Sequence, residues 1–139
     1  MCGQSSADVQ AADQTLRPYW RDFVSAPERL PLHLQTVMLA WSYAGKVANG
    51  GHASWVEADG DGGHAVVQAM GDLGLDDIAR VAADALALFP NAPAATPDER
   101  LAALVDTEAL DEVDEQAYAL GVPDVVWQRC AERLITRQP

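Results

Sequence analysis

The chain has 139 residues, and its 21 acidic side chains against nine basic ones give a formal net charge of −12. A chain of this length can bury about two-thirds of the surface it exposes when unfolded, so one domain over residues 1–139 needs neither a metal nor a disulfide to hold it. The acidic balance opposes nucleic acid and anionic lipid as direct partners, no apolar run approaches the roughly 18 residues of a membrane span, and the start MCGQSSADVQ has no apolar signal core, so the expected location is cytoplasmic.

From Ser6 to Val24, Val9, Ala12, Leu16, Tyr19, Trp20 and Phe23 recur at three- and four-residue spacing, which predicts one amphipathic helix. Ser25 and Glu28 have the spacing of a capping box, and Pro27 and Pro31 set a boundary near 25–31. Leu34, Val37, Met38, Trp41, Ala44 and Ala48 then repeat the helical period among mostly uncharged neighbours, so this segment is expected to be the most buried helix. It meets Asn49-Gly50-Gly51, and paired glycines end a helix at little steric cost. Residues 52–57 read as a short helical turn or a packed loop, in which Trp55 either plugs the core or joins a contact surface.

A second break, Asp59 to Gly63, precedes a helix marked by Val66, Val67, Met70 and Leu73. The next is marked by Leu75, Ile78, Ala82, Ala85, Leu86 and Phe89, with Asp76 and Asp77 in the first turn, where carboxylates oppose the positive end of the helix dipole. Thr96-Pro97-Asp98-Glu99 signals a helix start at Pro97, with Leu101, Leu104 and Val105 as its stripe and Leu110, Val113, Ala117 and Leu120 as the following one. After Gly121, Pro123 opens the last helix, where Val126, Trp127, Cys130 and Leu134 face inward and Arg129, Arg133 and Arg137 form a basic row. Strand patterns are absent, so the expected fold is all-α, a single compact multi-helix domain.

No constellation for catalysis or cofactor binding stands out, and the chain is expected not to be an enzyme. Glu57-Ala58-Asp59-Gly60-Asp61-Gly62 imitates the start of a calcium loop, but the twelfth position is Gln68, which cannot supply the bidentate carboxylate. His52 and His64 lack the spacing of a zinc site, and Cys2 and Cys130 are read as free thiols. Trp20, Trp41 and Trp127 read as core rather than stacking surface.

The charge is more informative. Fifteen of the acidic residues fall between Glu57 and Glu115 against only Arg80 and Arg100, so this block carries −13 while residues 1–56 are neutral and 116–139 carry +1. Glu108, Asp111, Glu112 and Glu115 stand at i, i+3, i+4 and i+7, along one face of a helix. Like charges at this spacing each cost a few tenths of a kcal/mol, so either solubility or a binding role offsets the cost. The candidate partner-binding face comprises Asp72, Asp76, Asp77, Asp84, Glu108, Asp111, Glu112, Asp114 and Glu115.

Asn49-Gly50-Gly51 after an aromatic-rich helix, the helical pair from Met70-Gly71-Asp72-Leu73-Gly74 to Ala87-Leu88-Phe89-Pro90-Asn91, Glu99-Arg100, and the run Leu110 to Tyr118 together give residues 46–120 a specific pattern. In order and spacing it resembles a bacterial family of helical DNA-mimic proteins whose members are mostly uncharacterised. The departure lies after the glycines, where the family usually has Phe and a Gln-Phe-Phe-like run and this chain has His52 and Ser54-Trp55-Val56. The resemblance implies an all-helical protein, often a homodimer, whose carboxylates imitate duplex phosphates and occupy the DNA site of a basic DNA-binding protein or transcription factor. The alternative is a protein-interaction module of another kind, immunity-like or an assembly factor, without mimicry.

Overall fold

The computed structural model describes residues 2–59, 63–89 and 106–137, and among them the chain is all-α. Helix α1 runs Cys2–Leu16, a 3-10 turn spans Arg17–Tyr19, and α2 is Trp20–Ser25. The single helix expected over 6–24 is therefore interrupted. Pro18 lies inside the 3-10 turn, and proline removes a backbone donor while its ring crowds the carbonyl four residues back. Of the expected stripe only Ala12 and Leu16 are fully buried; Tyr19, Trp20 and Phe23 pack at the edge of the core.

A second 3-10 turn, Pro27–Arg29, fills the predicted boundary. The expected capping box does not form: Ser25 Oγ donates to the Arg21 carbonyl at 2.8 Å, and the cap residue is Ala26, with no side-chain bond. A serine hydroxyl at a helix end can reach back to the preceding turn as readily as it caps the next one, and here it does the former.

Helix α3, Leu32–Asp59, is the centre of the packing and touches α4 and the two C-terminal helices. Leu34, Val37, Met38, Ala40, Tyr43, Ala44 and Val47 are buried, whereas Trp41 is half-buried and Ala48 exposed. The inward face is thus rotated slightly toward Tyr43 and Val47 from the one expected. At Gly50 and Gly51 the backbone leaves the helical region and then resumes for two further turns, so the glycine pair breaks α3 without ending it.

Helices α4, Gly63–Asp72, and α5, Asp76–Ala87, pack against each other. Their expected apolar positions are buried except Val67, which is partly so. Their approach is close at Gly63, where a Cβ would lie 2.6 Å from Leu86 Cδ2. The helix start expected at Pro97 and the stripe Leu101, Leu104 and Val105 lie outside the described residues.

Helix α6, Thr107–Ala119, is capped by Asp106, whose side chain accepts from the Ala109 N–H. It buries Leu110, Val113 and Ala117, but Leu120 falls beyond its end and is exposed. Helix α7, Asp124–Arg137, buries Val126, Cys130 and Leu134 against α3 and α1. Two members of its expected basic row are engaged: Arg129 Nη1 donates to the Leu73 carbonyl at 2.8 Å and Arg133 Nη2 to the Asp72 carbonyl at 2.9 Å, while Arg137 lies outside the side chains described. Carbonyls at the end of α4 lack intrahelical partners, and these guanidiniums satisfy them while tying α7 to α4.

Candidate functional site

Eight of the nine predicted face residues are solvent-exposed: Asp72 at the end of α4, Asp76, Asp77 and Asp84 on α5, and Glu108, Asp111, Glu112 and Glu115 on α6. Helices α5 and α6 pack against each other, so their acidic residues stand on neighbouring elements. On α5 the charge is partly offset, because Arg80 lies 3.8 Å from Asp77. On α6 the four outward carboxylates have no basic residue within their helix, whose sequence TEALDEVDEQAYA contains none.

The ninth residue, Asp114, turns inward. Its Oδ1 accepts from the His52 backbone N–H at 2.8 Å and lies 2.6 Å from His52 Nδ1. His52 is fully buried, and its Nε2 lies 2.8 Å from the hydroxyl of Tyr43, which is buried as well. Trp55 closes the cluster, with its ring edge-on to Tyr43 at a centroid distance of 4.8 Å. This settles the position of Trp55, which is in the core, although its Nε1 finds no hydrogen-bond acceptor.

The break in α3 explains why these groups meet. Interrupting a helix orphans carbonyls on one side and N–H groups on the other. Asp114 accepts from the N–H of His52, the first residue after the break, and a carboxylate at that position also opposes the helix dipole. Tyr118, one turn further along α6, donates its hydroxyl to the Val47 carbonyl at 2.9 Å, just before the break. Helix α6 therefore caps both sides of the break with two side chains at i and i+4.

The Asp114–His52–Tyr43 chain has the order of a carboxylate, imidazole and hydroxyl relay, but its electrostatics run against nucleophilic chemistry. Burial, followed by the charge of Asp114, pushes the Tyr43 hydroxyl well above the usual tyrosine range, so it remains a protonated donor. Burial lowers the His52 pKa, an effect only partly offset by the hydrogen bond and charge of Asp114. The imidazole is thus neutral, and since a carboxylate can only accept, Nδ1 carries the proton. Tyr43 then donates to Nε2.

A pH dependence follows. The unfolded chain takes up a proton on His52 near the ordinary value of about 6.5, whereas the folded chain does so only at lower pH. The contribution of the neutral imidazole to stability is therefore complete above about pH 6.5 and is lost as pH falls toward the folded-state value. In urea melts at pH 7 and pH 5, the wild type should lose more stability on acidification than His52→Gln, with relief of carboxylate repulsion common to both. The reverse ordering would mean that the imidazole is charged in the fold.

Elsewhere, an open groove of about 460 Å³ lies between α1, α3 and α7, lined by Val9, Gln10, Asp13, Gln14, Arg17, Trp41 and Trp127. Its tryptophans are tilted against each other at 5.6 Å, and the Arg17–Asp13 pair closes at 3.0 Å. The Cys130 thiol is pushed up to about 12 by burial and donates to the Val37 carbonyl at 3.6 Å, which leaves it unreactive. Among the described residues no group of three or more metal-ligating side chains converges, and no helix is long and apolar enough to cross a membrane. Of the calcium-like segment Glu57 to Gly62, the part from Asp59 onward lies outside the side chains described.

The signals for the relay were present in the sequence. Asp114 stands at i+4 from Leu110 and i−3 from Ala117, on the inward side of the wheel, and His52 stands at i−3 and i−4 from Trp55 and Val56. Grouping residues by charge alone puts Asp114 in the candidate partner-binding face, although it is not one of the four in the outward row.

Among curated proteins and solved structures, none matches the chain at a significant level. A family profile described as DMP19-like protein matches residues 28–135, which takes in the whole broken helix, the acidic block and most of α7. The chain belongs to this family.

Proposed function

We propose that this member of the DMP19-like family is an acidic binding protein, not an enzyme, whose outward carboxylates occupy the DNA site of a basic DNA-binding protein. The observation that carries the reading is the row on α6. At a rise of about 1.5 Å per residue, Glu108 to Glu115 spans about 10.5 Å, so four carboxylates give one charge per about 3.5 Å of axis. Each strand of duplex DNA carries one per about 3.4 Å. A basic groove that reads phosphates by charge density meets a comparable line of charge, without bases, on a helix that displays four exposed carboxylates and no cation of its own. The resemblance noted from the sequence points to the same class of partner.

Immobilised protein should capture a basic DNA-binding protein from lysate of its own organism, and duplex DNA should release it. Added salt should weaken the complex, since attraction between exposed charges is screened over about 8 Å at physiological ionic strength. Capture that survives excess duplex would remove mimicry and leave an interaction module of another kind.

A further inference from the structure

We propose that Asp114, His52, Tyr43 and Tyr118 are positioning residues of the acidic face, holding α6 at the rotation that turns Glu108, Asp111, Glu112 and Glu115 outward. The assignment of a binding role to that face rests on the reading above; the latch itself rests on geometry.

Helix α6 meets the core through only three buried apolar side chains, Leu110, Val113 and Ala117, two of them small or β-branched. Such contacts are non-directional and tolerate some rolling of the helix about its axis. The outward row supplies no restraint, because its members repel one another. Among the described residues the directional restraints from side chains of α6 to another helix are the hydrogen bonds to the break in α3, which weaken steeply as their angles close. Asp114 contributes two of these to His52 and Tyr118 one to Val47. Tyr43 extends the restraint into the core by fixing the far nitrogen of the imidazole. Since residues on a helix are separated by about 100°, fixing Asp114 fixes the direction of Asp111 and Glu115 as well.

This arrangement requires His52 to be the Nδ1–H tautomer. The side-chain ¹H–¹⁵N spectrum of labelled full-length protein reads this directly. The expected wild-type signature is Nδ1–H. In Asp114→Ala the acceptor is gone, and the proton should move to Nε2, where it donates to the Tyr43 oxygen. Asp114→Asn keeps an acceptor oxygen and should restore Nδ1–H. Amide hydrogen exchange supplies the second readout: in Asp114→Ala and in Tyr118→Phe, amides of residues 107–119 should exchange at least about tenfold faster while those of α4 and α5 keep their protection.

An Nε2–H wild type, or acceleration spread evenly over all helices, would overturn the latch. A variant too unstable to measure leaves the wild-type tautomer and Tyr118→Phe to decide. None of these measurements involves a partner. If the latch signatures appear and the acidic row proves irrelevant to binding, the functional reading falls and the latch stands; if the row binds and the signatures are missing, the reverse holds.

Discussion

Gly51→Val should cost roughly 2–6 kcal/mol, which at urea slopes of about 1–3 kcal/mol per M lowers the midpoint by about 1 M or more. Two independent effects add. Gly51 sits at φ 70°, ψ −170°, a region that is essentially reserved for glycine and costs other residues about 1–3 kcal/mol. A Cβ there would also lie 2.5 Å from Asp114 Oδ2, so the carboxylate must move away from the two N–H donors it satisfies, at about 1–3 kcal/mol for the buried groups left unpaired. The two parts can be separated. In an Asp114→Ala background the steric part disappears and only the backbone strain remains, so the penalty of Gly51→Val should be visibly smaller there. Coincident midpoints for wild type and Gly51→Val would mean that the break in α3 does not depend on glycine.

This dependence shows where sequence reasoning reached and where it stopped. The glycine pair marked the break correctly because glycine is legible as a conformational requirement in one dimension. What it could not show is that the helix resumes after Gly51, because the continuation depends on a cap supplied by a residue 62 positions later. The apolar faces of α4, α5 and α6 were legible because burial imposes a helical period. Positions that depend on a distant partner were not. Arg129 and Arg133 look like a solvated row until the end of α4 is seen beneath them. The helical period places Trp41 rather than Tyr43 on the inward face, yet Trp41 is only half-buried and Tyr43 is sealed by its bond to His52.

The candidate face shows the same division. Charge segregation identified the acidic block, and an i, i+3, i+4, i+7 spacing identified its densest row, both local properties of the chain. Eight of the nine residues so chosen are exposed. The exception, Asp114, is the carboxylate whose wheel position matched its buried neighbours, and its charge serves the break in α3. The apparent cost of a fourfold like-charged row on α6 is therefore accompanied by an inward anchor one residue from its end. That combination is what a rigid display of charge requires: repelling groups outside, and directional bonds inside.

The most direct measurement of the central claim is binding of the captured basic partner to a charge-reversed row. Glu108→Lys, Asp111→Lys, Glu112→Lys and Glu115→Lys together convert the line of carboxylates on α6, which no basic residue of that helix interrupts, into a line of cations. All four are exposed and none contributes to the buried contacts of α6, so the helical circular dichroism spectrum should be unchanged. Reversal of steering charges acts mainly on association, over a range of about 10- to 1,000-fold, and the close contacts turn repulsive as well, so affinity should fall by more than about 100-fold. The comparison is Asp8→Lys, Asp13→Lys and Asp22→Lys, which moves the net charge by a similar amount on α1 and α2 and should change affinity by less than about tenfold. A large loss in the first variant, a small one in the second, and release of the wild-type complex by duplex DNA are the predicted results. Equal binding by the two variants would contradict the account and reduce the acidic row to solvated surface.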